Sequence, residues 1–278
     1  MAQWLAQPDE WRQFFDRYRR VVLIANSDGV DISAVTQKHG DEALYVFFNK
    51  VYKVLKTPFG GEALLVARSS PIGANIVYRK EVGAVLGYLP DSSLTGVLNL
   101  ACGTDEVFSD AHEFVGRNAG QLQLASHFAD FYPQSHKPTS GFALAVWLAE
   151  KASCEVHLEG FTARRSLQWK LFADHDWIFE QTCLRLLARA GQLHMAAIEP
   201  VNAYAELGRR FPGISASNIA ATGIEVLANR ADNTSVAVDR LFSLTRLQGK
   251  IDGFFRDLKP KTRKERAIEA AAKTNGTK

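Results

Sequence analysis

His175 stands at the head of a predicted helix, in the stretch Asp174-His175-Asp176-Trp177-Ile178-Phe179-Glu180. An imidazole there can take a proton from a substrate hydroxyl at neutral pH. The positive end of the helix disfavours its charged form. Glu180 is a candidate to orient or polarise it, although five residues turn a helix through about 500°, so the two need not share a face. A lone histidine is equally explained as a structural residue. Lys137-Pro138-Thr139-Ser140-Gly141 opens a second predicted helix. The hydroxyls of Thr139 and Ser140 and the free N–H groups near Gly141 would face an anion at the positive end of that helix, or simply cap it. Asn26 and Ser27, and then Asn49, each follow an apolar run. Small polar residues at such a turn can hold an anion or a ribose, and a carboxamide can both donate and accept. An ordinary turn accounts for them too. Tyr132 is a candidate hydrogen-bond donor to a leaving phosphate and Arg117 a candidate cation beside it; packing and a solvated surface pair are the plainer accounts.

Asp174-His175-Asp176 is formally a DxD, a pattern that can hold a metal and a diphosphate. At a helix start its acids are explained by capping and the helix dipole. HExxH, GxSxG, GxGxxG and GxxxxGK[ST] are all absent from the sequence. No metal site and no cofactor are expected.

The elements that must position these groups alternate. Val21–Ala25, Leu44–Phe48, Ala63–Ala67 and Gly96–Leu100 are largely apolar stretches that predict strands, and Glu155–Gly160 reads as a further strand. Continuous rather than alternating runs point to a parallel sheet covered on both faces. Pro8–Tyr18, Phe142–Glu150, His175–Ala190 and Val238–Leu258 predict helices. Such alternation predicts an α/β fold: a Rossmann-like, mostly parallel sheet flanked by helices, with ligand-facing loops at the strand ends. One domain is expected over residues 1–248, with lid elements within 105–137 and 200–237. Residues 249–278 read as a basic, helical or flexible tail.

Composition bounds the classes. The chain has 278 residues, 46% hydrophobic and 23% charged, with a formal net charge of +3. That is a globular balance without the clustered basic footprint of a nucleic-acid binder. Cys102, Cys154 and Cys183 form an odd, sparse set with no CxxC, neither a disulfide framework nor a zinc site. No signal-type core and no spanning run is present, so a cytoplasmic location is expected. Between Lys250 and Arg266 lie seven cations and three acids around Phe254-Phe255. That segment would give peripheral contact with an anionic inner membrane, or be a solvated tail.

Taken in order, the motifs resemble those of the sialyltransferases of bacteria and animals. Val21-Val22-Leu23-Ile24-Ala25-Asn26-Ser27 resembles the family's first nucleotide-binding turn, and Phe47-Phe48-Asn49-Lys50 its Asn-bearing strand end. Pro138-Thr139-Ser140-Gly141-Phe142 followed by Cys154–Phe161 is similar to the small sialyl motif, and His175 with Glu180 to the HxxxxE motif. The resemblance spans Val21–Gly191. It implies a sialyltransferase-type glycosyltransferase fold with a lid region. It also implies a metal-independent, inverting transfer of an α-keto acid sugar, sialic acid or Kdo, from a CMP donor to a hydroxyl of a bacterial surface glycan or glycolipid. His175 would be the base. Asn26, Ser27 and Asn49 would hold the donor, and Thr139, Ser140, Gly141 and Tyr132 the phosphate. Animal members carry another catalytic histidine between the last two motifs, and Thr162–Asp174 contains none. The resemblance to some bacterial members implies that Tyr132 and Arg117 replace it. A CMP-binding protein without catalysis, or another Rossmann-like enzyme acting on phosphorylated sugars, are the other readings.

Overall fold

The structure is a computed structural model that describes residues 4–162, 174–195, 209–215, 217–218 and 220–227. The chain divides into two compact units, Met1–Ala197 and Ile198–Lys278. Most of the 200–237 stretch, the predicted helix at 238–258 and the basic tail lie outside the described residues.

In chain order, the first unit contains α1 (Pro8–Phe15), β1 (Arg20–Ile24), α2 (Ile32–His39), β2 (Ala43–Phe48), β3 (Ala63–Arg68), α3 (Asn75–Tyr78) and α4 (Val82–Leu86). There follow β4 (Leu94–Ala101), β5 (Ala119–Gln123), α5 (Ala125–Phe128), α6 (Ser140–Lys151), β6 (Glu155–Glu159), α7 (Trp177–Arg189) and β7 (His194–Met195). The seven strands form one sheet in the order β5-β4-β3-β2-β1-β6-β7. Every pairing is parallel, with Leu23 of β1 opposite both Val46 of β2 and Leu158 of β6. The five predicted strands thus become β1, β2, β3, β4 and β6, and the α/β class expected from them is what the chain adopts.

The sheet is buried on both sides, which is why its central strands lack polar alternation. On one face α6 places Phe142, Leu144 and Leu148 beside Leu23, Val46 and Leu158, together with Trp11, Phe14 and Phe15 of α1. On the other, Val35, Ile76 and Val85 from α2, α3 and α4 pack on Val22, Tyr45 and Leu65. Strand order grows outward from β1 through β5 and then returns to the other side of β1 with β6. The reversal makes β1/β6 the switch point, where loops leaving adjacent strand ends diverge and open a crevice.

The 105–137 stretch, within which lid elements are expected, contributes β5 to the sheet. Ala-Gly-Gln-Leu-Gln carries little apolar periodicity, and its strand form is set by its neighbours. The Leu5 carbonyl accepts from Gln121 N at 2.7 Å, and Trp4 N donates to the Ala119 carbonyl at 3.2 Å, so the N-terminal segment covers this edge. The Trp11 indole N–H adds a bond to the Gln121 carbonyl at 2.9 Å. Such cover is what an open edge requires. No helix among the described residues is long and apolar enough to cross a membrane.

A histidine ladder crosses the β6–β7 edge on the α2 face. His157 stacks on His194 at 4.4 Å and meets His39 edge-on at 4.8 Å. His39 Nε2 bonds Glu159 at 2.7 Å, Lys38 bonds the same carboxylate, and Arg20 and Glu155 flank the group. Burial, then His194 and His39, hold the His157 pKa down at about 4 from an ordinary 6.5.

Two predictions follow from this packing. A Cβ added at Gly120 would lie 2.5 Å from the Leu5 carbonyl and 2.7 Å from the Trp11 ring. Gly120→Ala is expected to lose about 1–3 kcal/mol of stability by overpacking, read as a lower urea midpoint. For His157, the unfolded chain binds a proton more readily than the folded one. Its contribution to stability is therefore full above pH 6.5 and lost as pH falls toward 4. Unfolding free energies of wild type and His157→Gln across that window are expected to show a shallower acid decline in the variant; parallel curves would refute this.

Candidate active site

The switch-point crevice is built by short hydrogen bonds between strand ends. Asn26 Nδ2 donates to the Phe48 carbonyl at 2.8 Å, tying the turn after β1 to the end of β2. Its Oδ1 is buried and has no hydrogen-bond partner among the described residues. Asn49, in a left-handed conformation at φ 43°, accepts from Arg68 N at 2.8 Å through its own Oδ1 and so ties β2 to β3. Asn and Gly tolerate that conformation best. Ser27 lies in the turn after β1. Gly160, at φ 76°, packs so closely on Ser27 and Val30 that a side chain would not fit. Gly141 has the same constraint from Phe161, whose ring would be 2.8 Å from an added Cβ and which meets Phe48 edge-on. The ends of β1, β2 and β6 and the start of α6 therefore converge.

At the start of α6, Thr139 is the cap. Its hydroxyl accepts from Phe142 N at 3.2 Å and donates to Glu180 Oε2 at 2.7 Å, while its amide donates to Glu180 Oε1 at 2.7 Å. Thr139, expected to face a phosphate, is committed to the protein interior. Tyr132 is likewise buried. Its hydroxyl donates to Glu180 Oε1 at 2.9 Å and accepts from Asp176 N at 3.0 Å. Ser140 and Gly141 follow at the first two helical positions. Their N–H groups and the Ser140 hydroxyl have no hydrogen-bond partner among the described residues, so the anion-binding capacity of this helix end rests on them.

Glu180, only 3% exposed, is thus an anchor for the 132–139 segment, its carboxylate bonded to Tyr132 and Thr139. Burial raises its carboxyl above the usual range, against the bonds from Thr139 and Tyr132. His175 is oriented by another group: its Nδ1 lies 2.6 Å from the Lys137 carbonyl. A carbonyl can only accept, so Nδ1 carries the proton and Nε2 keeps its lone pair. Burial lowers the His175 pKa below 6.5, against the opposing pull of that carbonyl. The ring is therefore neutral at pH 7. Trp177 meets it edge-on at 5.6 Å. Asp176 caps α7 through a bond from Phe179 N at 2.9 Å, which gives one acid of the DxD an ordinary helical role.

Arg117 is placed elsewhere. It precedes β5 and pairs with Asp91, which precedes β4, so it belongs to the N-terminal edge of the sheet. All the other candidates lie at or beyond the C-terminal edge. In a parallel sheet the two edges are separated by the full strand length, and Arg117 cannot reach the crevice.

Two groups that sequence reasoning did not single out, Arg68 and Glu106, complete the site. Arg68, at the end of β3, holds Glu106 through Nε at 2.9 Å and Nη2 at 2.6 Å and donates from Nη1 to the Pro138 carbonyl at 2.8 Å. Glu106 also accepts from Cys102 N at 2.8 Å. The Cys102 thiol beside it is buried, with its pKa pushed up to about 12. Lys137 is held by Asp105 at 2.7 Å. A charge directly after the apolar run 63–67 was the one available signal for Arg68. Nothing in the sequence marks Glu106 as its partner.

No family model matches the chain, and the comparison with curated proteins gives no match. Among solved structures, the chain is similar to a mammalian sialyltransferase at 15% identity and a TM-score of 0.41, over 64% of this chain and 69% of that one. A likeness of that degree establishes neither a common site nor a common activity.

The geometry makes Glu180 testable without a substrate. Glu180→Ala leaves the Thr139 amide and hydroxyl and the Tyr132 hydroxyl unpaired in the interior. The expected loss is about 2–4 kcal/mol, against a smaller loss for Glu180→Gln, both read by chemical denaturation.

Proposed function

We propose that the chain is an inverting glycosyltransferase that moves an α-keto acid sugar, sialic acid or Kdo, from its CMP donor to a hydroxyl of a glycan or glycolipid. The observation that most supports this reading is the state of His175. It is a neutral imidazole with Nδ1–H tied to the Lys137 carbonyl and its Nε2 lone pair unprotonated. Three residues on from Lys137, helix α6 opens with two amides that have no partner among the described residues. A base and an anion-holding helix end, set by one short segment, are the two groups that displacement of a phosphate leaving group requires.

In the proposed reaction, Nε2 of His175 takes the proton of the acceptor hydroxyl as its oxygen bonds to the anomeric carbon. The bond from that carbon to the CMP phosphate breaks, and its electron pair leaves with the phosphate. Amides of Ser140 and Gly141 and the Ser140 hydroxyl hold the departing anion. The proton on His175 then passes to solvent. A monophosphate carries modest charge, so this reading needs no metal. Asn26 Oδ1 gains its missing partner from an N–H of the bound nucleotide, and Asn49 and Ser27 line the same strand ends. The acceptor is a surface glycan built on the cytoplasmic side, with the basic segment 250–266 available to touch the membrane.

Commitment of Thr139 and Tyr132 to Glu180 leaves few donors for phosphate, and this favours a second reading: CMP binding without turnover. Thermal stabilisation by CMP against UMP, GDP and AMP separates the cases. CMP at a hundredfold excess over its dissociation constant is expected to stabilise by about 2.7 kcal/mol, in wild type and in His175→Ala alike. With CMP-sialic acid or CMP-Kdo as donor, His175→Ala is expected to lose about 10²–10⁴-fold in turnover. Wild-type kcat/KM is expected to stay flat at neutral pH and fall only below the ordinary imidazole range, because His175 protonates late. Binding without turnover in wild type supports the second reading, and no CMP-selective shift refutes both.

A further inference from the structure

We infer that Arg68 is a positioning residue which, through the Pro138 peptide, selects the Nδ1–H tautomer of His175 and so leaves Nε2 as its basic atom. The consequence for catalysis rests on the transferase reading above; the tautomer does not.

Three successive backbone groups carry the inference. The Lys137 carbonyl takes the His175 Nδ1 contact at 2.6 Å. The Pro138 carbonyl takes Arg68 Nη1 at 2.8 Å. The Thr139 amide gives its proton to Glu180 at 2.7 Å. Pro138 has no N–H, so the peptide between 137 and 138 can be fixed only through its carbonyl. The peptide between 138 and 139 is fixed from both ends, by Arg68 on the oxygen and Glu180 on the nitrogen. Proline also confines Lys137 to extended conformations. The Lys137 amide donates to the Asp174 carbonyl at 2.8 Å, and with the next peptide pinned as well the Lys137 carbonyl is held toward His175.

Arg68 suits this task because it is itself immobile. Its side chain is 13% exposed and that of Glu106 5%. Both Nε and Nη2 are taken by the Glu106 carboxylate, in the planar fork that only a guanidinium offers. Glu106 is tied in turn to Cys102 N at the end of β4. The third arm, Nη1, is therefore aimed from two adjacent strand ends. A buried ion pair is weak evidence of stabilisation, and here its geometry has a separate use. The Lys137–Asp105 pair nearby is solvent-exposed and contributes little.

The test reads the ring nitrogens of His175 directly. Full-length protein labelled with ¹⁵N-histidine gives two-bond ¹H–¹⁵N correlations, and the His175→Asn spectrum assigns the resonance. Wild type is expected to show the Nδ1–H tautomer alone. Arg68→Lys offers one point donor that cannot serve both Glu106 and Pro138, and is expected to give mixed tautomers. Glu106→Gln is expected to do the same by freeing the guanidinium, and it stands in where Arg68→Lys does not fold. Retention of the wild-type tautomer in a folded variant would overturn the inference. Where wild type turns over a CMP sugar, Arg68→Lys is expected to lower kcat by about 10–100-fold with donor KM within about twofold of wild type. A protein that shows no turnover fails the transferase reading, while the spectra still decide the role of Arg68.

Discussion

A buried carboxylate organises this site. Glu180 lies in the interior among hydrogen-bond donors rather than in an ion pair, and three of them converge on it: the Tyr132 hydroxyl, the Thr139 amide and the Thr139 hydroxyl. Leaving such a charge unsatisfied would be far more costly than any single bond gains. The 132–139 segment is therefore bound to the first turn of α7. From that constraint follow the cap of α6, the placement of the Lys137 carbonyl, and the orientation of His175, which stands two residues before α7.

The sheet supplies the second constraint. Its order reverses beside β1, so the loops after β1 and β6 part and leave room above the strand ends. Asn26 and Asn49 close the backbone there, each with one half of its carboxamide. This leaves Asn26 Oδ1 without a hydrogen-bond partner among the described residues. Phe161 over Gly141 and Gly160 against Ser27 bring the two sides of the crevice within van der Waals reach. Rigid strand ends and a fixed helix start give preorganisation, the property on which electrostatic stabilisation of a developing anion depends.

Charge is handled differently at the two ends of this unit's chemistry. Around His175, burial disfavours the charged imidazole, and Arg68 is held by Glu106 nearby. Along the β6–β7 edge, three imidazoles lie against one another with Glu159 and Glu155 beside them. In the first place a backbone carbonyl fixes the proton of the ring. In the second the packing holds the His157 ring uncharged, at the expense of stability in acid.

The sequence by itself determined the five long strands, because a parallel sheet covered on both faces demands unbroken apolar runs, and Val21–Ala25, Leu44–Phe48 and Ala63–Ala67 are such runs. It also determined α6 and α7, through Thr139 and Asp176 as caps and the apolar spacing behind them, and it marked His175 and Asn49 as candidates beside plainer structural readings. Only the tertiary structure decided the rest. Ala119–Gln123 is too polar to announce a strand and becomes one by pairing. Thr139 and Tyr132 carry hydroxyls whose direction, toward Glu180 rather than a ligand, depends on a helix some forty residues away. Arg117 is near the predicted lid in sequence but at the opposite edge of the sheet in space. Arg68 and Glu106 meet across 38 residues because β3 and β4 end side by side. Local patterns record burial and backbone preference, whereas which side chains meet is fixed by strand order, and strand order is a property of the whole chain.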